Sequence, residues 1–220
     1  MLLIPEKTQI LVIGGGPAGS TAATLLSRAG CQVTLLESGR FPRYHIGESL
    51  IPFTHHPLKR LGLIDRMQAS ANVKKYSVQF VAPSGKASQP FYFFNRYAAA
   101  EAQTWQVLRS EFDLMLMDNA RAKGATVLEE VEVRDFLQEG ERTVGVRAQT
   151  RDGRTREWRA PMTLDCSGRE GLGPTRRNWR VRDPKLNKVA VWTYYVGAKR
   201  DEGIDAGATT VAYVPEKGWF

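Results

Sequence analysis

The chain has 220 residues, 42% of them hydrophobic and 25% charged, which is enough to bury a core and excludes a wholly disordered protein. No apolar run is long enough to cross a bilayer, a charge interrupts the N-terminus too early for a signal peptide, and the two cysteines lack the spacing of a disulfide framework or a metal site. The formal net charge of +8 comes largely from residues 169–188, whose seven bases and two acids give +5, but no RNA- or DNA-binding motif accompanies it. We therefore expect a cytoplasmic protein with no integral membrane segment, no metal and no nucleic-acid partner.

The first predicted element is a buried parallel strand at Thr8–Ile13, a short β-branched apolar run. It leads into the glycine-rich turn Gly14–Gly19, and small and apolar residues then recur at helical spacing from Ala18 to Ala29. A second apolar strand, Cys31–Leu36, ends at an acidic residue. Strand, glycine-rich turn, helix, strand and acid, in this order, form the mononucleotide-binding βαβ unit.

Each part of this unit has its own role in binding a dinucleotide. Gly14 permits the tight turn, Gly16 lets the backbone approach a pyrophosphate, and Gly19 allows the helix to pack closely on the sheet. The helix N-terminus, where Ala18 lies, offers N–H groups and a positive dipole end to the phosphates. Glu37 is placed to accept hydrogen bonds from a ribose diol, and its charge disfavours the 2′-phosphate of NADP. This leaves FAD or NAD as the dinucleotide.

A second strand-to-helix junction follows in the middle of the chain. The run from Trp105 to Arg109 predicts a strand that leads into a helix at Ser110, which has capping-box spacing with Asp113. Arg109 therefore lies at a corner, from which it either reaches into a cleft or forms a surface salt bridge.

Three motifs together resemble those of the FAD-dependent monooxygenase superfamily, which has a glutathione-reductase-type Rossmann domain. These are the G-x-G-x-x-G turn, the R-x-x-F-D-x-x-L sequence at Arg109–Leu116 and the D-x-S-G strand end at Asp165–Gly168. The resemblance covers roughly 160 residues and implies that FAD is the cofactor. It also implies that Arg109 lies near the flavin or its pyrophosphate, and that the backbone of Val133, in the predicted strand Glu130–Phe136, contacts adenine.

A further stretch, Phe41–Leu50, is similar to the F-P-R-x-x-x-G-E-S-L sequence of the flavin-dependent halogenase and geranylgeranyl-reductase-like branch of this superfamily. The resemblance implies that Glu48 and Ser49 lie beside the isoalloxazine. A serine before the apolar residues 51–61 is equally typical of a capped helix start.

Halogenases of this branch use a lysine about two dozen residues beyond that motif, and this spacing corresponds to Lys75, with Lys74 as the neighbouring alternative. The resemblance implies that reduced flavin, oxygen and halide give hypohalous acid, which the lysine holds as a hydrogen-bonded species or a chloramine. A partly desolvated amine suits this role. Two lysines at the solvated start of a strand are the structural alternative.

The remaining predicted strands are typical of the substrate-domain sheet of this family. They lie at Tyr76–Val81, Ser88–Phe94, Gln103–Leu108, Lys188–Gly197 and Ala208–Val214. We therefore expect an α/β fold in which residues 1–80 and 103–172 form a discontinuous Rossmann-type FAD-binding domain, and residues 81–102 and 173–220 form part of a mixed β-sheet substrate domain.

The end of the sequence resembles the beginning of the branch's W-x-W-x-I-P motif at Trp219. The later G-D motif of the family has no match. The resemblance thus implies a C-terminal truncation, either as an N-terminal fragment or as a shortened relative with an incomplete flavin pocket. It also favours interpreting residues 169–188 as a loop near an anionic cofactor.

Three functions follow as hypotheses. The leading one is an FAD-dependent oxidoreductase of the halogenase or monooxygenase type, which uses reduced FAD and O2 on an apolar, aromatic or carrier-bound small molecule and receives reduced flavin from a partner flavin reductase. The second is a geranylgeranyl-reductase-like saturase of isoprenoid double bonds. The third is a truncated FAD-binding module without turnover.

Overall fold

The computed structural model describes residues 7–97, 100–186, 188–215 and 218–220. In chain order the helices are α1 (Pro17–Arg28), α2 (His55–Leu61), α3 (Ile64–Gln68), α4 (Arg109–Ala122) and α5 (Leu172–Arg176). The strands are β1 (Ile10–Ile13), β2 (Val33–Leu36), β3 (Val73–Lys75), β4 (Ser77–Val81), β5 (Phe91–Tyr92), β6 (Thr104–Gln106), β7 (Thr126–Leu128), β8 (Val131–Glu139), β9 (Arg142–Thr150), β10 (Thr155–Arg159), β11 (Met162–Asp165), β12 (Thr209–Val214) and β13 (Gly218–Trp219). Within the described ranges, no helix combines the length and the hydropathy needed to span a membrane.

The described residues form two compact units. The first unit contains those of Met1–His45 and Arg109–Val189, and the second unit contains those of Ile46–Leu108 and Ala190–Phe220. The boundaries predicted from the sequence, after residues 80, 102 and 172, fall elsewhere. The difference arises because β4 pairs in parallel with β12, which places residues 77–81 in the same sheet as residues 209–214.

The first unit is built on a four-stranded parallel sheet with the order β11-β1-β2-β7. All four residues of β1 are buried, as the apolar run predicts for a strand covered on both faces. Leu11 and Ile13 pack with Trp158 of the antiparallel sheet β10-β9-β8, whereas Ile10 and Val12 pack on the helical side. This arrangement confirms the predicted Rossmann-type α/β fold.

Helix α1 packs closely against the sheet because its buried residues are small. They are Gly19, Ser20, Ala23 and Thr24. Pro17 occupies the first turn, where its missing N–H costs no intrahelical hydrogen bond.

The second unit contains a four-stranded mixed sheet with the order β13-β12-β4-β5 and the separate antiparallel pair β3-β6. In the pair, Lys75 lies opposite Thr104 and Lys74 opposite Trp105. Consecutive strand residues point to opposite faces, so the two lysines have different surroundings.

Two predicted elements are wrong in type or extent. Residues 188–197 were predicted as a strand, but the described residues of this range have no regular structure, and Val189 and Val191 are 86% and 93% exposed. A β-branched composition favours a strand only where a neighbouring strand takes up the backbone hydrogen bonds. The predicted strand Ser88–Phe94 shortens to β5, followed by a 3₁₀ turn at Phe93–Asn95.

Candidate functional site

The glycine-rich turn after β1 is closed by contacts that exclude side chains at two of its positions. Gly14 has a φ of +96° and donates its N–H to the carbonyl of Leu36 at 2.8 Å. A Cβ at Gly14 would lie 2.5 Å from the carbonyl oxygen of Cys166, and a Cβ at Gly19 would overlap the carbonyl oxygen of Gly14. The packing of β1, α1 and the segment after β11 therefore requires glycine at both positions.

Gly16 differs, because no neighbour among the described residues demands a glycine there. Its backbone is extended, with φ −67° and ψ −176°, and a Cβ would meet only Nη2 of Arg43 at 3.8 Å. The adjoining N-terminus of α1 has no side-chain cap, and Ala18 in its first turn is exposed. The first N–H groups of a helix lack intrahelical acceptors, so this corner can accept an anionic group that approaches the backbone closely. The open face of Gly16 fits the pyrophosphate of a dinucleotide.

Glu37, at the end of β2, is held by backbone donors on both carboxylate oxygens. Oε2 accepts the N–H of Gly15 at 2.6 Å, and Oε1 accepts the N–H of Gly39 at 2.7 Å. Its side chain is only 6% exposed. The carboxylate thus braces the glycine-rich turn. Oε1 also faces the Ser38 hydroxyl and Nε of Arg43, whereas Oε2 keeps a second lone pair that suits a ribose hydroxyl. Its contact with ribose stays a prediction.

Arg43 belongs to the site in the structure, although sequence reasoning gave it no role beyond the F-P-R motif. Its Nε lies 3.6 Å from Oε1 of Glu37, and its guanidinium carbon lies 4.6 Å from the centre of the Phe41 ring. Nη2 faces the open side of Gly16. A cation is therefore present beside the surface that fits a pyrophosphate. The motif spacing was the available signal, because it places an arginine six residues after the acid at the end of β2.

Arg109 begins α4 and forms a buried ion pair, not the surface salt bridge that its corner position left open as an alternative. Its Nε and Nη2 donate to the two carboxylate oxygens of Asp113 at 2.7 and 2.9 Å, and Asp113 is fully buried. Asp113 is thus engaged by Arg109 across one helical turn, whereas the spacing with Ser110 had predicted a capping box. The proximity of Arg109 to the flavin stays a prediction.

Val133 lies in β8 opposite Ala148 and is half-buried against the core cluster that contains Leu11 and Trp158. Its side chain therefore contributes to packing, and its backbone contact with adenine stays a prediction.

The loop that follows β11 is held by the carboxylate of Asp165, the last residue of that strand. Asp165 accepts hydrogen bonds from the N–H and hydroxyl of Ser167 and from the N–H of Gly173 at 2.6 Å. Burial and the nearby Asp165 raise the pKa of the Cys166 thiol, which favours the thiol over the thiolate.

Among the described lysines of the second unit, Lys75 is the buried one, only 5% exposed, whereas its neighbour Lys74 is exposed. Its Nζ donates to Oγ of Ser49 at 2.8 Å and to the carbonyl of Leu50 at 3.3 Å, and it lies 5.7 Å from the centre of the Phe93 ring. Burial lowers the pKa of the Lys75 ammonium below the ordinary lysine value. The structure therefore distinguishes the two lysines that spacing alone left as alternatives.

Ser49 and Glu48 of the G-E-S motif have different partners. The Oγ of Ser49 lies between Nζ of Lys75 and Oγ1 of Thr209, 3.0 Å from the latter, so Ser49 is not the helix cap that its position also allowed. Both carboxylate oxygens of Glu48 accept the hydroxyl of Tyr194 at 3.1 Å. The structure brings Ser49 and Lys75 together, and the position of Glu48 and Ser49 beside the isoalloxazine stays a prediction.

An apolar groove of about 560 Å³ also lies in the second unit. Its aromatic walls are Phe80, Tyr213 and Trp219, which are 52%, 55% and 68% exposed. In the described part of the chain, no group of three or more histidine, cysteine, aspartate or glutamate side chains is arranged to hold a metal ion.

Halogenases, several of them flavin-dependent, are among the known proteins with similar sequences. A tryptophan 2-halogenase from Chondromyces crocatus is 36% identical over 219 residues, which are 99% of this chain and 41% of that protein. The flavin-dependent halogenase armH3 from Armillaria mellea is 37% identical over 202 residues, 90% of this chain and 40% of that protein. The chain thus spans about two fifths of the length of these curated relatives.

The fold has solved counterparts as well. The structure of the myxobacterial chondrochloren halogenase CndH, an FAD-dependent halogenase, superposes with a TM-score of 0.80 at 33% identity, over 98% of this chain and 49% of that one. The sequence profile of the FAD binding domain family matches residues 7–193. These findings confirm the predicted family and cofactor. The chain belongs to the FAD binding domain family, and FAD is its cofactor.

Proposed function

We propose that this chain is the FAD-binding and oxidant-positioning part of a flavin-dependent halogenase that acts on a small aromatic substrate. The observation that carries the proposal is the burial of Lys75, with its Nζ held by Ser49 of the G-E-S motif. The likeness to halogenases over 99% of the chain supports it.

The formation of hypohalous acid from reduced flavin, oxygen and halide determines which tasks the protein must perform. When bound, reduced FAD supplies two electrons to O2, which with one halide ion and one proton gives FAD, water and hypohalous acid. Hypohalous acid reacts with water-exposed nucleophiles indiscriminately, so the protein must hold it until the substrate is in place. A partner flavin reductase would provide the reduced cofactor.

Lys75 is suited to hold the oxidant because it is an amine removed from bulk water. As an ammonium it donates a hydrogen bond to hypohalous acid, and as a free amine it exchanges N–H for an N–halogen bond with release of water. Burial shifts the balance toward the free amine, the nucleophilic form. Lys74, exposed on the opposite face of β3, has neither property.

In the first unit, some residues of the proposed FAD site stabilise the glycine-rich turn, and others bind the cofactor. Gly14 and Gly19 shape the turn, and the open face of Gly16 and the N-terminus of α1 accept the pyrophosphate. Glu37 and Arg43 flank this surface with a ribose acceptor and a phosphate donor.

An aromatic substrate is supported by two separate observations. One relative acts on tryptophan, by its name, and the second unit carries an apolar groove with the aromatic walls Phe80, Tyr213 and Trp219. An electron-rich ring is also the natural acceptor of an electrophilic halogen.

The test incubates the purified chain with FAD, a flavin reductase with its nicotinamide donor, air, chloride or bromide, and tryptophan or a phenol. We expect a halide-dependent gain of one halogen, recognised by its isotope pattern in mass spectrometry. Lys75→Met should abolish the gain while reduced flavin is still oxidised, and Lys74→Met should retain it.

Two results would overturn the proposal. The first is flavin turnover with Lys75 intact and no halogen in any product. The second is anaerobic oxidation of reduced FAD by a polyprenyl substrate, which would favour a saturase instead.

A further inference from the structure

The segment from Glu37 to Arg43, called the arginine loop below, is attached to the connection between β7 and β8 in the first unit. Two backbone hydrogen bonds run from the N–H of Glu130 to the carbonyl of Gly39 at 3.2 Å and from the N–H of Val131 to the carbonyl of Glu37 at 2.9 Å. A third hydrogen bond runs from the N–H of Phe41 to Oε1 of Glu129 at 2.6 Å. Of these three, the bond to Glu129 is the one that a side-chain substitution removes.

The carboxylate of Glu129 is itself held in place by α4. Its Oε2 accepts a hydrogen bond from Nη2 of Arg121 at 2.6 Å, and Nη1 of the same arginine donates to Asp118 at 2.8 Å. The Glu129 side chain is only 25% exposed. One carboxylate oxygen therefore fixes Glu129 to the helix, and the other fixes the arginine loop.

Phe41 and Gly39 in turn support the side chain of Arg43. The Phe41 ring, in a residue only 8% exposed, lies 4.6 Å from the guanidinium carbon of Arg43. A Cβ at Gly39 would lie 3.2 Å from Cδ of Arg43, so the aliphatic part of that side chain packs over the glycine. An arginine side chain loses considerable rotational freedom when its cation is fixed beside Gly16, and a rigid support reduces the cost on binding.

We propose that Glu129 is a positioning residue for FAD binding. By holding the N–H of Phe41, it keeps the Phe41 ring against the Arg43 guanidinium and the cation beside the surface that accepts the pyrophosphate. The inference rests on the role proposed above for Arg43 as a phosphate donor. It assigns a favourable contribution to an acidic residue whose charge alone would repel an anionic cofactor.

The test is a double-mutant cycle on the FAD Kd, measured by fluorescence titration of the purified 220-residue chain. Glu129→Met keeps the length of the side chain and removes the acceptor, and we expect Kd to rise roughly fivefold, within the loss expected from removing the Arg43 cation itself. In the Arg43→Met background the same substitution should change Kd less than about twofold, because no guanidinium remains to be positioned. An effect of charge alone would have the opposite sign, since the removal of a carboxylate would lower the Kd of an anion.

The controls separate the hydrogen bond to Phe41 from charge and from general packing. Glu129→Gln keeps an oxygen acceptor for the N–H of Phe41 and should bind FAD within about twofold of wild type. Glu157→Met removes a carboxylate from an exposed ion pair with Arg147 and should leave Kd unchanged. Urea unfolding of each apo variant identifies any that does not fold. If Glu129→Met does not fold, Glu129→Asp, whose carboxylate is one methylene shorter, takes its place in the cycle.

An unchanged or lower Kd in folded Glu129→Met would overturn the inference, and so would an equal rise in both backgrounds. Glu129→Gln binding as weakly as Glu129→Met would overturn it as well, because the hydrogen bond to Phe41 would then not be the cause. The titration needs no halide and no turnover, so the expected cycle together with absent halogenation would reject the proposed function and keep the inference. An unchanged Kd in Arg43→Met would reject the phosphate contact of Arg43 together with the positioning that acts through it.

Discussion

The carbonyl oxygen of Cys166 faces the α-carbon of Gly14 so closely that a Cβ at position 14 would lie 2.5 Å away. At Gly16, by contrast, a Cβ would have no neighbour closer than 3.8 Å. Gly14 is therefore required by the fold, whereas the reason that we propose for a glycine at position 16 is the close approach of the ligand.

This contrast predicts opposite outcomes for two alanine substitutions. Gly14→Ala should lower the free energy of unfolding by about 3 kcal/mol or more, through positive-φ strain and overlap with the backbone. Gly16→Ala should change it by less than about 0.5 kcal/mol and weaken FAD binding at least tenfold, about 1.4 kcal/mol. Urea unfolding of the apo chain and FAD fluorescence titration measure the two effects. Equal loss of stability in both variants would contradict the assignment of Gly16 to the ligand.

Arg43 should contribute directly to FAD affinity. Arg43→Met removes the cation beside Gly16, and we expect the FAD Kd to rise about tenfold, the loss of one hydrogen bond to a charged group. Arg40→Met removes the same charge from an exposed position and should change Kd less than about twofold. Isothermal titration calorimetry compares the two variants. Matching Kd values would show that only net charge matters.

The buried pair of Arg109 and Asp113 should be sensitive to the loss of one partner. Asp113→Asn leaves the guanidinium without its carboxylate in a buried position, and we expect a loss of about 3–5 kcal/mol in urea unfolding. Asp118→Asn, which breaks the exposed pair with Arg121 on the same helix, should cost less than about 1 kcal/mol.

Replacing both members of the buried pair should recover much of the stability. In Arg109→Met with Asp113→Leu, no uncompensated charge is buried, so the double variant should be more stable than Asp113→Asn. An FAD titration of the folded double variant then tests whether Arg109 also contacts the cofactor. A double variant less stable than Asp113→Asn would mean that the pair stabilises the fold by more than its mutual compensation.

Lys75 should make stability depend on pH in a defined direction. Its pKa is lowered in the folded state by burial, so between that value and the ordinary lysine value the unfolded chain binds more protons than the folded one. Stability contributed by Lys75 therefore rises with pH across this window, and the penalty is complete below it. We expect the stability advantage of Lys75→Met over wild type to shrink from about pH 7 to about pH 10.5 in urea titrations.

Taking the difference between these two proteins cancels the opposite contribution of Cys166, whose raised pKa makes stability fall at high pH. A difference that is constant with pH would mean that Lys75 titrates alike in both states.

The parts of the site that local spacing determines could be predicted from the sequence. The βαβ unit lies within one contiguous stretch, so the packing roles of Gly14 and Gly19 and the position of Glu37 follow from their order. The pairing of Arg109 with Asp113 also has i, i+4 spacing, and the capping-box interpretation failed because the buried arginine offered a stronger partner.

Contacts between segments that are distant in the chain could not be predicted from the sequence. Which lysine is buried depends on which face of β3 the rest of the second unit covers, and Thr209 reaches Ser49 across 160 positions of the chain. Residues 188–197 show the converse case, in which strand-forming residues meet no strand among the described residues.

The pairing of Ile10 with Met162 in the parallel sheet of the first unit has a consequence for biosynthesis. β1 leaves the ribosome early, but its neighbour β11 follows only after the whole segment from Ile46 to Leu108 has been made. A nascent chain must therefore keep one edge of a buried strand unpaired through most of translation, when such edges are prone to aggregate. We therefore expect the late pairing of β11 with β1 to be the rate-limiting step of folding. The need for a chaperone should end once Asp165, the last residue of β11, has left the ribosome.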